Sequence, residues 1–274
     1  MHFITFSRQL GSNGTETARR VAEKLGYRFI DTAAIENAAL EMGILESVSD
    51  LDEKVPSLFQ RIFSHKPSIN LARLNSVINE LAQKGDAVFL GRGGHMLLKA
   101  FGCGLHVRVV ATRKTRIRNL KAQGYGEDLA EKLMERSDAE RSSFMKFAFK
   151  VDWEDAELYD VVLNTDKLSI DSAVNTVLAL ARSSEINACS LHALESLGNL
   201  ALAGRVEAAI TEAGLSYGPG TSVIAAVEEP GKVCLSGLVE DELSKKRAEE
   251  VVKTVKGVTV TDNQIRIRPS DRHA

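Results

Sequence analysis

Cysteine is scarce and badly placed for pairing. The 274 residues contain three, Cys103, Cys189 and Cys234, odd in number, far apart and never in a Cys-x-x-Cys arrangement. That argues against a disulfide framework or a zinc site and for a reducing compartment. Long apolar runs are also missing. The opening Met1–Phe6 turns polar at Ser7-Arg8-Gln9, too short for a signal peptide, and no run of about 18 apolar residues follows. A cytoplasmic chain without a transmembrane segment is expected. Charge of one sign is absent as well: 35 Lys+Arg stand against 37 Asp+Glu, net −2. No wide basic surface for nucleic acid is implied, although local clusters can meet nucleotide phosphates. No internal repeat or low-complexity tract occurs. What is present, 44% hydrophobic and 26% charged residues, suffices to bury a core, and the length suits two domains.

Residues 3–6 read as a short buried strand, and Ser7 to Gly14 as a polar, glycine-containing turn. From Thr15, Ala18, Val21, Ala22 and Leu25 recur at helical spacing with charges between them, and Gly26 stops that helix. Tyr27–Asp31 reads as a strand, and a helix starts near Ala33. Short helices and loops are expected over 43–68, which holds Pro56 and Pro67, then a helix from about Ile69 to Gln83. Ala87–Leu90 and Leu105–Ala111 read as strands, Arg113 to about Phe149 as a charged helical stretch, Val161–Leu163 as a strand and Ile170–Ala181 as a helix. This alternation predicts an α/β fold, a parallel sheet flanked by helices. Ligands then bind beyond the carboxyl ends of its strands.

After a linker over 184–198 the grammar changes. A helix (200–213), two strands joined at Glu229-Pro230-Gly231, a helix (240–255) and a strand (258–267) make a separate αββαβ unit. The expected domains are 1–183 and 199–270, and the first is expected to fold after a cut near Ser184.

Three polar turns leave strand ends. The first carries Gly11, Ser12, Asn13, Gly14 and Thr15 into a helix N-terminus, where backbone N–H groups and the dipole favour a phosphate. It fails the pattern Gly-x-x-x-x-Gly-Lys-Ser/Thr, because Arg8, Asn13 and Gly14 hold the Gly, Gly and Lys positions. Only Thr15 keeps the hydroxyl that would reach Mg²⁺. By motif alone a plain tight turn is the simpler reading. The second turn is Asp31-Thr32. The third is Gly91-Arg92-Gly93-Gly94-His95, where Arg92 either grips a phosphate bidentately or is a surface arginine on a glycine turn. His95 fits packing or the helix start better than proton transfer. The stretch 113–150 holds ten Lys+Arg against six Asp+Glu. A solvated helical face explains some of that.

Ile4-Thr5-Phe6-Ser7-Arg8, Gly11-Ser12-Asn13-Gly14, Phe29-Ile30-Asp31, Gly91-Arg92, Arg136-Ser137-Asp138-x-x-Arg141 and Asp152 to Thr165 follow in an order that resembles the cytidylate kinase-like family. The resemblance covers about residues 2–182. It implies a P-loop kinase fold with a helical lid and ATP-dependent phosphorylation of a nucleoside monophosphate, CMP or dCMP. By the same resemblance Gly11 to Thr15 hold ATP, Thr15 binds Mg²⁺, and Asp31 and Arg92 position the acceptor. Arg136 and Arg141 close over the transferring group, with Arg113 and Arg116 on the helix before the lid. Arg8 is the residue available to replace the missing lysine. Trp153 reads as packing, and Asp160 either orients a lid arginine or caps its strand. The family commonly has a basic residue just after the glycine loop, where this chain has Thr15. That departure leaves open a nucleotide-binding sensor with little or no turnover.

Arg205–Ile210, Val233–Val239, Lys246–Val252 and Lys256-Gly257-Val258 resemble a BON domain. The resemblance implies a small ligand, lipid or protein partner, and no catalytic constellation is visible there. A role in stability or oligomerisation alone is the plainer alternative.

Overall fold

The computed structural model describes residues 3–42, 67–99, 104–187, 190–215 and 222–268. Most of the short helices and loops expected over 43–68 fall outside these. The chain divides into two compact units: 1–37 with 84–193, and 38–83 with 194–274.

The first unit is built on a five-stranded parallel sheet of order β2-β3-β1-β4-β5. Its strands are β1 (Phe3–Arg8), β2 (Arg28–Ile30), β3 (Ala87–Leu90), β4 (Gly104–Val110) and β5 (Val161–Asn164). β1 is central, pairing β3 on one side and β4 on the other. The chain therefore changes sides at the carboxyl end of β1, the crevice where open parallel sheets bind ligands. Strand alternation then separates two faces. Ile4, Phe6, Leu105, Val107 and Val109 face α1 (Gly14–Leu25) and α7 (Ile170–Ala181), packing on Ala18, Val21, Ala22, Val174 and Val177. Thr5, Ser7, His106 and Arg108 face the other way and build a buried polar layer. The expected Gly26 stop is present, in the left-handed region at φ 70 with its N–H on the Ala22 and Glu23 carbonyls.

The helical stretch from Arg113 is two helices, α5 (Arg113–Ala122) and α6 (Glu127–Phe149). Gly124, at φ 96, turns the chain between them. α2 (Thr32–Glu41) follows β2, and the one-turn α4 (Gly94–Leu97) follows the Gly91–Gly93 turn.

In the second unit, β6 (Ser222–Glu229) and β7 (Lys232–Val239) form the expected hairpin. Pro230 and Gly231 occupy its turn, Gly231 at φ 83. β8 (Val260–Asn263) and β9 (Arg266–Ile267) both pair parallel with β7, so the single last strand expected is broken in two. α10 (Glu242–Lys253) packs Ala248 and Val252 into the core with Val206, Ile210, Val233 and Leu235. The helix expected near residue 200 is longer. After the short α8 (Ser184–Asn187), α9 runs from Ser190 to Glu212 through much of the expected linker. α3 (Pro67–Gln83) belongs to this second unit. Gly204 of α9 lies against Ser76 of α3, where an added Cβ would stand 3.4 Å from the Ser76 Cα. Arg205 donates to Glu80 at 2.7 Å beside it. The N-terminal sequence half thus supplies a helix to the C-terminal unit.

Candidate active site

The loop after β1 is held from behind by its carbonyls. Leu10 O accepts from Arg116 Nε at 2.7 Å, Gly11 O from Asn119 Nδ2 at 2.8 Å and Ser12 O from Thr165 Oγ1 at 2.8 Å. Asn13 O takes the Thr17 N–H, and the buried Ser12 hydroxyl donates to Gln9 O. In a trans peptide each carbonyl points opposite to the next N–H. The N–H groups of Gly11, Asn13 and Gly14 are therefore turned away from these anchors, and with Thr15 they have no acceptor among the described residues. Gly11 (φ 82) and Asn13 (φ 61) supply the left-handed backbone this needs. A Cβ on Gly11 would stand 2.7 Å from Arg116 O. The outcome is a helix N-terminus opening on a cleft of about 330 Å³ lined by Arg8, Gln9, Gly11, Asn13, Thr15 and Arg141, among others.

Arg8 crosses this cleft floor. A Cβ on Gly14 would lie 2.6 Å from Arg8 Cβ, and one on Gly91 2.6 Å from Arg8 Nη1. Both glycines make room for the arginine. Arg8 Nε meets Thr15 Oγ1 at 3.4 Å, and Arg8 has no ion pair among the described residues. Burial, then the guanidinium groups of Arg141 and Arg92, pull it down from the usual arginine value to about 9. Arg141 is lowered by burial, with Asp138 opposing and Arg116 and Arg92 adding to the shift. Arg92, at φ 57, is lowered by burial against the pull of Glu36 and Glu140. Three arginines from β1, the β3 turn and α6 thus converge, a strong attraction for an anion of several charges.

Of the residues expected here, Gly11, Ser12, Asn13, Gly14, Thr15, Arg8, Arg92 and Arg141 come together. Ser12 is the exception in role, its side chain fully buried as an anchor. Arg136 does not join them. It pairs with Glu140 at 2.8 Å and its side chain is 70% exposed. Five residues along an α-helix turn about 140° around it, so Arg136 and Arg141 cannot face one cleft from an unbroken helix. Asp31 caps α2, accepting the Ala34 N–H at 3.0 Å. Asp160 accepts the His106 N–H at 2.7 Å and so caps its strand.

Sequence reasoning missed the layer under the loop. Arg108, almost wholly buried, stacks 4.3 Å from the Trp153 ring and donates to Trp153 O and Tyr159 Oη. Trp153 Nε1 donates to Ser7 Oγ at 2.8 Å. His95 stacks on Tyr159, their ring centroids 4.7 Å apart. Burial, with His106, Arg108 and Lys99 nearby, pushes its pKa down to about 3, so it is a neutral packing residue. The signal was present in β4, where His106 and Arg108 alternate with Leu105, Val107 and Val109. Glu36 beside Arg92 was also missed, because its helical phase on α2 depends on where that helix starts.

Residues 3–167 match the model of the cytidylate kinase-like family, and 199–269 match the BON domain. The chain is 26% identical over 184 residues to a cytidylate kinase of Desulfurococcus amylolyticus, covering 65% of this chain and 91% of that one. It is 27% identical over 186 residues to a cytidylate kinase of Methanocorpusculum labreanum, covering 64% and 97%. A crystal structure from Eubacterium ventriosum superposes with a TM-score of 0.54 at 17% identity, covering 67% of this chain and 99% of that one. That last likeness is one of fold.

Proposed function

This chain belongs to the cytidylate kinase-like family and carries a BON domain, and from that premise we propose that it transfers the γ-phosphoryl group of ATP to a nucleoside monophosphate, CMP or dCMP. The observation that carries this reading is the convergence of Arg8, Arg92 and Arg141 on a loop of outward N–H groups. The loop N–H groups of Gly11, Asn13, Gly14 and Thr15 hold the ATP phosphates, and Arg8 supplies the positive charge that the usual loop takes from a lysine. Arg92 grips the acceptor phosphate, and Asp31 sets the start of α2 beside the acceptor. Arg141 faces the charge that spreads over the equatorial oxygens during transfer. Arg136 takes no part in this arrangement.

No cluster of acidic, His or Cys side chains able to hold a metal occurs among the described residues. That fits Mg²⁺ arriving on the nucleotide, since this ion keeps waters and binds through substrate phosphates. Thr15 Oγ1 would be its protein ligand, and the ion would neutralise charge on the phosphates. Catalysis is otherwise placement and fixed charge.

The lysine-free loop also suits a chain that binds nucleotide without turnover and signals through its BON domain to a small ligand, lipid or partner. ADP production with CMP, dCMP, UMP and AMP, in the presence of Mg²⁺, separates the two. CMP- or dCMP-dependent turnover supports the kinase. Nucleotide binding with turnover at background supports the sensor. We propose a cytoplasmic location, in keeping with the few, widely spaced cysteines of the sequence. No described helix is long and apolar enough to cross a membrane.

A further inference from the structure

One ion pair ties the phosphate loop to the helix that carries Arg141. Arg116 sits on α5, its side chain 6% exposed. Its Nη1 meets Asp138 Oδ2 at 2.7 Å, and its Nη2 meets Asp138 Oδ1 at 2.9 Å, a planar fork on a carboxylate. Its Nε donates to Leu10 O at 2.7 Å. All three nitrogens are therefore occupied inside the protein. Asp138 lies three residues before Arg141, on the same side of α6. The far end of α6 reaches the acceptor turn, where a Cβ on Gly93 would stand 2.6 Å from the Phe149 ring and 3.1 Å from that of Phe144.

We infer that the Arg116–Asp138 pair is a latch that seats the phosphate loop and the Arg141 guanidinium together before nucleotide arrives. This rests on the phosphotransfer reading of the cleft. Arg116 and Asp138 are positioning residues. Arg116 fixes the Leu10 carbonyl, which turns the Gly11 N–H toward the cleft, and Asp138 fixes the phase of α6. Asp138 also supplies the carboxylate that offsets the like charge of Arg116 and Arg141. Without the latch, mutual repulsion of the arginines drives α6 outward and the loop loses its rear support.

The test uses the full chain and the variants Asp138→Asn, Asp138→Glu and Arg116→Lys. Amide hydrogen exchange is followed at the Gln9 and Ser12 N–H groups, the loop amides bonded to Val109 O and Gln9 O, and in the peptide covering 135–149, with β1 and β4 as internal references. Asp138→Asn is expected to speed exchange at both places about tenfold or more while the sheet stays protected. Where the protein turns over, kcat is expected to fall about tenfold with the acceptor KM little changed. Asp138→Glu, which keeps a forked acceptor, restores most of both. Arg116→Lys reproduces the Asn variant, because an ammonium cannot hold both carboxylate oxygens and Leu10 O. If Asp138→Asn does not fold, the Lys variant carries the test. Unchanged exchange at Gln9 and Ser12 in a folded Asp138→Asn or Arg116→Lys variant overturns the latch. Absent turnover in the natural chain would instead defeat the kinase reading and leave the exchange result standing.

Discussion

Arg8 lies across Gly14, so close that a Cβ at position 14 would stand 2.6 Å from the arginine's own Cβ. Position 14 is where the usual phosphate loop carries its lysine. The arginine and the lysine therefore exclude each other, and the loop's positive charge enters from the preceding strand.

A charge swap follows. Gly14→Lys alone is expected to distort the loop and abolish ATP binding, since the new side chain also meets Val109 Cβ at 2.9 Å. Arg8→Gly with Gly14→Lys returns the first glycine and the lysine, leaves Asn13, and removes the contact with Arg8 Cβ though not that with Val109 Cβ, so it should recover part of the binding lost in the single variant. Calorimetric titration with ATP and Mg²⁺ checks both. A double variant no better than the single one would mean that the two positions do not trade roles.

The two expected lid arginines should behave differently. Arg141→Lys replaces a fork by a point charge, and kcat is expected to fall about tenfold to a hundredfold with nucleotide affinity changed less. Arg136→Ala removes an exposed pair and should shift stability by no more than about 0.5 kcal/mol, leaving kcat alone. Steady-state kinetics on both variants decide it. A large kcat loss in Arg136→Ala would place that residue in the reaction after all.

His95 sets a pH dependence. Its pKa is depressed by burial to about 3 in the folded chain, against an ordinary 6.5. The unfolded chain therefore takes up a proton that the folded one refuses, and stability falls as pH drops from 6.5 toward 3. Between pH 7 and 5 this group costs about 2 kcal/mol. Urea unfolding at the two pH values should show a loss smaller by that amount in His95→Gln. An identical loss in the variant would show that His95 does not titrate this way.

Truncation tests the division of the chain. A fragment of residues 1–183 keeps α3 but loses α9, exposing Ser76 and leaving Glu80 without Arg205. Against the expectation from the sequence that this half folds alone, it is expected to melt lower than the full chain and to aggregate, because residues 38–83 belong to the unit that contains α9. A monodisperse fragment with an unchanged melting temperature would mean that α3 does not depend on α9.

The alternation of strands and helices, the Gly26 stop and the hairpin at Pro230-Gly231 were legible because each rests on local spacing and backbone chemistry. The cleft was legible in part. The glycine turns marked where Arg8 and Arg92 sit, but the direction of Arg8 depends on Gly14 and Gly91, which are 77 positions apart in the chain. Arg136 and Arg141 were read together because they share a motif, although helical phase alone separates them. The docking of α3 on α9 had no local signal, since Ser76 and Gly204 meet only in the folded chain.

The sharpest test of Arg8 as the loop's source of positive charge is thermal melting of the natural chain and of Arg8→Gln, each with and without ATP and Mg²⁺. Arg8 is buried among like charges, so the variant should melt higher than the natural chain without nucleotide, by about 2–4 °C. Nucleotide should stabilise the natural chain and leave the variant unmoved. An equal nucleotide-induced shift in both proteins, or none in either, would contradict the role given to Arg8.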